Sequence, residues 1–147
     1  MVSVMRILPT LLLLSASALV NAQTKDEQDA LALAVRSQHV LNEYAVGAVE
    51  PEAMKYAQRL RLTRAALDAQ RKQWPAVTDG PSPWDKFRAC KNALEQASHV
   101  AGLSGTKAVS SLDDKVFHAE KGKLQQLRAE CDAVSYTHLT LPTNREV

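Results

Sequence analysis

The chain has 147 residues, 46% of them apolar and only 5% aromatic, with 18 Lys and Arg against 16 Asp and Glu. Between Gln23 and Ala133 sixteen basic residues face fifteen acidic ones, so the charge balance gives no general argument for nucleic acid, which is not expected as a partner. A segment of that size holds one modest core and is too short for two domains, and its wealth of Ala, Leu, Gln, Lys and Glu favours helix over strand.

At the start, a short cationic stretch ending at Arg6 leads into an apolar run from Ile7 to Val20 and a small-residue exit at Val20-Asn21-Ala22. This is the layout of a secretory signal, with cleavage expected after Ala22. The run spans fourteen residues and contains Pro9, against the ~20 residues a membrane span needs, so a transmembrane helix is the weaker reading. Export to the periplasm or beyond is therefore expected, as a protein with no membrane span once the leader is removed.

The first helix is expected to open at Thr24-Lys-Asp-Glu27, where the threonine oxygen and the glutamate carboxylate can each take an early backbone N–H. It runs to about Val46, with Gly47 as its stop, and Leu33, Ser37, Val40 and Tyr44 beside Ala34, Leu41 and Ala48 form its apolar face. The second helix starts at Pro51 and keeps its period through Tyr56, Leu60, Thr63, Leu67 and Trp74, until Pro75 ends it. It is locally basic, with Lys55, Arg59, Arg61, Arg64, Arg71 and Lys72 outnumbering Glu52 and Asp68. Arg64 with Asp68, and Asp68 with Arg71 or Lys72, stand at pairing distance along a helix, which makes a solvated face the plain reading. The sharper reading is an anionic partner, an acidic protein or a charged envelope surface, steered by these cations.

Residues 75 to 83 hold three prolines and a glycine and form the loop between two helical hairpins. Trp74 and Trp84 bracket that loop. They either close the end of the bundle or form a partner-binding anchor together with Arg59, Arg61 and Arg64. Ser82-Pro83-Trp84-Asp85 opens the third helix, whose stripe of Phe87, Cys90, Leu94, Ala97 and Ala101 is the clearest core signal in the chain; Gly102 and Gly105 are expected to close it. After a turn through Ser110, Ser111 and Asp114 cap a fourth helix with Val116, Leu124, Leu127 and Cys131 pointing inward and Gly122 weakening it. Asp113 and Asp114 are explained by capping and the helix dipole.

Cys90 and Cys131 are the only cysteines, and in an oxidising compartment they are expected to pair. Their 41-residue separation makes such a bridge a contribution of roughly 4 kcal/mol in the chain-entropy model. With a loop of about eight residues between antiparallel third and fourth helices, Cys90 lies 13 residues before Leu103 and Cys131 lies 19 after Leu112. That leaves a stagger of about 9 Å, beyond the ~7 Å that a disulfide allows between Cα atoms, for the loop to absorb.

Helical patterning is expected to end at about Ala133. The string from Val134 to Val147, including His138, resembles the translation of a transposase-based sequencing adapter read in one frame to a stop codon. That resemblance implies a non-native tail, set aside from the domain spanning residues 23 to 133, and a native C-terminus interrupted after Ala133.

The fold expected is all-α, a small antiparallel bundle of about four helices with one disulfide. His39, His99 and His118 fall on three different helices with no paired spacing, so a metal site would need tertiary convergence. No nucleophile elbow, phosphate-binding glycine loop or acid-base pair is present in the sequence, and no cofactor or catalytic activity is expected. The leading expectation is a non-catalytic envelope protein that binds another macromolecule, of inhibitor, immunity or accessory type. The alternative is a small-ligand or metal-binding bundle of the periplasm that uses His39, His99 or His118.

Overall fold

The computed structural model describes residues 24–44, 52–76, 80–109 and 113–139. The leader, the stop at Gly47, the start at Pro51 and the cap at Ser111 lie outside the described residues. Four helices follow in order, α1 (Lys25–Glu43), α2 (Ala53–Arg71), α3 (Arg88–Val109) and α4 (Asp114–Leu139), with a short 3-10 helix at Pro83–Phe87 leading into α3. Among the described residues there is no strand.

The local chemistry starts each element. At α1, Thr24 Oγ1 accepts from the Glu27 N–H at 3.3 Å while Glu27 Oε2 accepts from the Thr24 N–H at 3.1 Å, the reciprocal box anticipated from the sequence. At α4, Asp113 Oδ1 accepts from the Lys115 N–H at 2.8 Å. Ser82 repeats the reciprocal cap, but the turn it opens is 3-10 rather than α: Asp85 Oδ2 accepts from the Ser82 N–H at 2.9 Å and the α-helix itself begins only at Arg88. Between α2 and this turn, Gly80 sits at φ +120°, a conformation that residues with side chains rarely adopt, which favours glycine at this point of the chain.

All helix pairs that can be tracked by side-chain contacts run antiparallel. Cys90 meets Cys131, Gln96 meets Glu120 and Lys107 meets Asp114, so rising numbers in α3 face falling numbers in α4. Ser98 donates to Asp68 and Arg71 faces Glu95, which sets α2 against α3 in the same sense. Gln38 donates to Asp132 at 2.8 Å and Arg128 to Asn42 at 2.6 Å, which does so for α1 and α4. The core these helices enclose is built from Leu33, Leu41, Leu67, Phe87, Leu94, Val100 and Leu124, with Ala30, Ala34, Ala93 and Ala97 letting the helices approach closely. Each large apolar side chain in it contributes about 1.5–3 kcal/mol by leaving water.

The disulfide Cys90–Cys131 is formed, with 4.6 Å between Cα atoms and both residues wholly buried. The stagger expected between the two cysteines is absent, because α3 does not stop at its glycines. It continues through Gly102 and Gly105 to Val109, leaving only residues 110–113 as the connection. Cys90 then stands 19 residues before the end of α3 and Cys131 17 after the start of α4. A difference of two residues is ~3 Å of helix, which a disulfide spans.

Three further expectations are corrected. α2 ends at Arg71 and not at Trp74, because the chain tightens into a turn in which the Gln73 N–H donates to Gln70 O and the Trp74 N–H to Arg71 O. Val116 is 48% exposed, and its neighbour Phe117 takes the inward place one turn after Asp113. Finally, α4 does not end at Ala133: it runs on to Leu139, so residues 134–139 of the adapter-like string are helical. Ser135 falls one turn beyond Cys131, is buried, and donates its hydroxyl to Cys131 O at 2.9 Å, while Val134 packs against the core. Nothing in Val-Ser-Tyr-Thr breaks a helix, and the first proline comes later, at Pro142.

Candidate functional site

Two surface sites emerge, at opposite ends of α2. The first is built on the indoles. Trp74 is carried by the turn after α2 and buried to 6% exposure, while Trp84 stands in the 3-10 helix and is half-buried. Their rings meet edge to face, with centroids 6.2 Å apart and planes at 74°. Trp74 is fixed from below by α1: its Nε1–H donates to Ser37 Oγ at 3.1 Å. Ser37 Oγ also accepts from Gln70 Nε2 at 3.3 Å and donates to Leu33 O at 2.8 Å, so a hydroxyl on the otherwise apolar face of α1 is fully satisfied.

Above the indoles lies a cleft of about 180 Å³ between the loop and the first turns of α3, lined by Trp74, Trp84, Asp85, Arg88, Asn92 and Glu95 among others. Arg88 is paired with Asp85, and Lys91, also on the lining, reaches Pro75 O at 3.4 Å across it. The Asp85 carboxyl is held below its ordinary pKa, first by the Ser82 N–H it accepts from and then by Arg88. Sequence reasoning found Trp74 and Trp84 and missed the wall of α3. The signal was present, because Trp84, Arg88, Lys91, Asn92 and Glu95 recur at three- and four-residue spacing.

The second site is a groove of about 380 Å³ between α2 and α3. Its lining is apolar along Ala57, Leu60 and Ala101 with Gly102 and Gly105, and the exposed Met54 stands at its edge. The two glycines open it: a Cβ on Gly102 would stand 3.8 Å from the Arg64 guanidinium, and one on Gly105 would stand 3.7 Å from Leu60 Cδ1. Arg61 and Arg64 flank this apolar strip, exposed, and make no ion pair among the described residues. Asp68, which could have paired with Arg64, instead faces Arg71 at 3.7 Å and accepts from Ser98 at 3.2 Å.

The structure therefore divides the residues that the sequence grouped as one partner-binding set. Arg61 and Arg64 come together on the groove, and Trp74 and Trp84 come together on the cleft. Arg61 lies ten residues, about 15 Å of helix, before the end of α2, and Trp74 lies past that end. Arg59 joins neither lining and stacks over Tyr56, 5.8 Å from the ring centroid.

The histidines do not converge. His39 faces Glu43 at 3.5 Å on α1, His99 faces Glu120 at 3.9 Å across α3 and α4, and His118 lies edge-on to Phe117. Among the described residues no group of three or more His, Cys, Asp or Glu is placed to hold a metal ion. No helix of the described residues is long and apolar enough to cross a membrane. The chain matches no family model, no curated protein and no solved structure.

Proposed function

We propose that this chain is a non-catalytic binding protein of the cell envelope, exported through its leader, that docks an acidic amphipathic segment of another protein in the groove between α2 and α3. The observation that carries this reading is the pair Arg61 and Arg64, left without ion pairs among the described residues beside an apolar lining. An apolar strip lined with uncompensated cations is complementary to a helix that carries apolar anchors and flanking carboxylates. Met54, 83% exposed at the groove's edge, is a flexible apolar side chain of the kind that adapts to a partner. The disulfide suits an oxidising compartment, in keeping with export.

The test is affinity capture from envelope extract of the source, with the recovered partner then purified and titrated by calorimetry. One saturable protein partner is expected, with affinity falling as salt rises and lost in Arg61→Glu with Arg64→Glu, but kept in Trp84→Ala. Binding that is indifferent to the double charge reversal refutes the reading. So does charge-dependent binding to anionic lipid vesicles with no protein partner.

A further inference from the structure

The cleft at the indoles has a different chemistry from the groove, and we propose that it is a saccharide site that takes one neutral pyranose ring. Four observations point to this ligand. The first is an aromatic wall: the half-buried Trp84 indole, braced edge to face by Trp74, which is itself locked to Ser37, offers apolar ring surface of the kind on which the C–H face of a sugar ring stacks.

The second is charge. Arg88 and Lys91 on the lining are equal in number to Asp85 and Glu95, the last of which also faces Arg71 at 3.9 Å, so the lining carries no formal net charge to select an anion or a cation. The third is an open hydrogen-bonding group. The Asn92 side chain is exposed on the lining and has no hydrogen bond to any described residue, and its amide offers both donors and an acceptor, the complement of a hydroxyl that does both. The fourth is size: about 180 Å³ falls below the ~300–1,000 Å³ of clefts that hold drug-sized ligands and suits a single ring. The walls are already set. Asp85 is held by the Ser82 cap and by Arg88, and Lys91 is tied to the loop at Pro75 O, so little ordering remains for a ligand to impose.

Trp74 and Trp84 are the only tryptophans in the chain, so its fluorescence, excited selectively at tryptophan, reports on the two indoles at this cleft. The purified protein is titrated with N-acetylglucosamine, its β-1,4-linked trimer, glucose and maltotriose. Inorganic phosphate, choline and a decaproline peptide serve as comparison probes. A saturable change is expected with at least one saccharide and with none of the comparison probes. By calorimetry, Trp84→Ala is expected to abolish that binding. Asn92→Ala, which removes an exposed side chain with no hydrogen bond to a described residue, weakens it roughly three- to tenfold, the loss of one or two hydrogen bonds. If Trp84→Ala does not fold by circular dichroism, Asn92→Ala decides. The proposal is overturned by no saturable response to any saccharide, by a response only to phosphate, choline or decaproline, or by saccharide affinity unchanged in Asn92→Ala.

Discussion

Ser37→Ala is the substitution whose cost follows most directly from the structure. Ser37 Oγ is the common acceptor for Trp74 Nε1–H at 3.1 Å and Gln70 Nε2–H at 3.3 Å, and all three residues are buried, at 0%, 6% and 6% exposure. Alanine leaves the backbone of α1 intact and strands both donors. A buried donor without an acceptor costs about 1–3 kcal/mol. Alanine returns a few tenths of a kcal/mol in helix propensity, and the 3.3 Å contact is the weaker of the two, so the net expected loss is about 2–3 kcal/mol. That is a large share of the 5–15 kcal/mol typical of a whole domain. Urea unfolding followed by the two tryptophans should show a lower midpoint with an unchanged slope. A double-mutant cycle with Trp74→Phe, which keeps the apolar body of the ring and removes its N–H, should give a coupling energy of at least about 1 kcal/mol. A Ser37→Ala loss below about 0.5 kcal/mol, or strict additivity in the cycle, refutes the claim that this hydroxyl holds the end of the bundle together.

Reduction of Cys90–Cys131, or paired substitution of both cysteines by alanine, should lower stability by roughly 4 kcal/mol, the loop-closure term for 41 residues, and an unfolding midpoint indifferent to reductant contradicts it. Gly122→Ala should raise stability by roughly 0.5–1 kcal/mol, because the added Cβ meets nothing within 4 Å and α4 gains a better helix former; Gly80→Ala should lower it, since alanine resists a φ of +120°. Acid should weaken the cap of the 3-10 helix. The Asp85 pKa is depressed in the folded state, so its contribution is complete above the ordinary value of 3.8 and is lost as pH falls through the lower folded value. Asp85→Asn should therefore flatten the acid limb of a thermal stability profile, and a profile unchanged by it rules that carboxylate out.

Features whose causes are local were legible from the sequence. The Thr24 box and the buried stripe Phe87, Cys90, Leu94, Ala97, Ala101 each depend on residues within a few turns of one another, and both stand as expected; of the proline-rich loop, residues 77–79 lie outside the described residues. The helix endings were less legible. Trp74 keeps the period of α2 and yet lies outside it, because the pull on its indole comes from Ser37 on another helix. Phe117 displaces Val116 from the interior for a comparable reason. Its ring also lies under the Lys107 and Lys121 ammonium groups, at 4.9 Å and 5.6 Å from its centroid, and only the first of these is on another helix. The extension of α4 past Ala133 has a similar cause: Ser135 is polar in sequence, and its burial depends on the i−4 carbonyl of Cys131 and on the helix packed beside it.

Gly102 and Gly105 connect the misread ending of α3 to the missed site. A glycine pair after an apolar stripe is an ordinary signature of a helix stop, and it carries no local mark of the other use of glycine, which is to leave room for a neighbour. Here the neighbour is α2, which sets Leu60 and Arg64 against the two missing side chains. Continuing α3 through those glycines does two things at once. It lengthens the helix until Cys90 and Cys131 come level at the far end, and it leaves a groove beside Arg61 and Arg64 at the near end. A bulky residue at 102 or 105 would fill that groove while leaving the cysteines in register, so Gly105→Leu should keep the disulfide and the helical signal and lose the protein partner. If Gly105→Leu binds as the native chain does, the groove is not the docking surface.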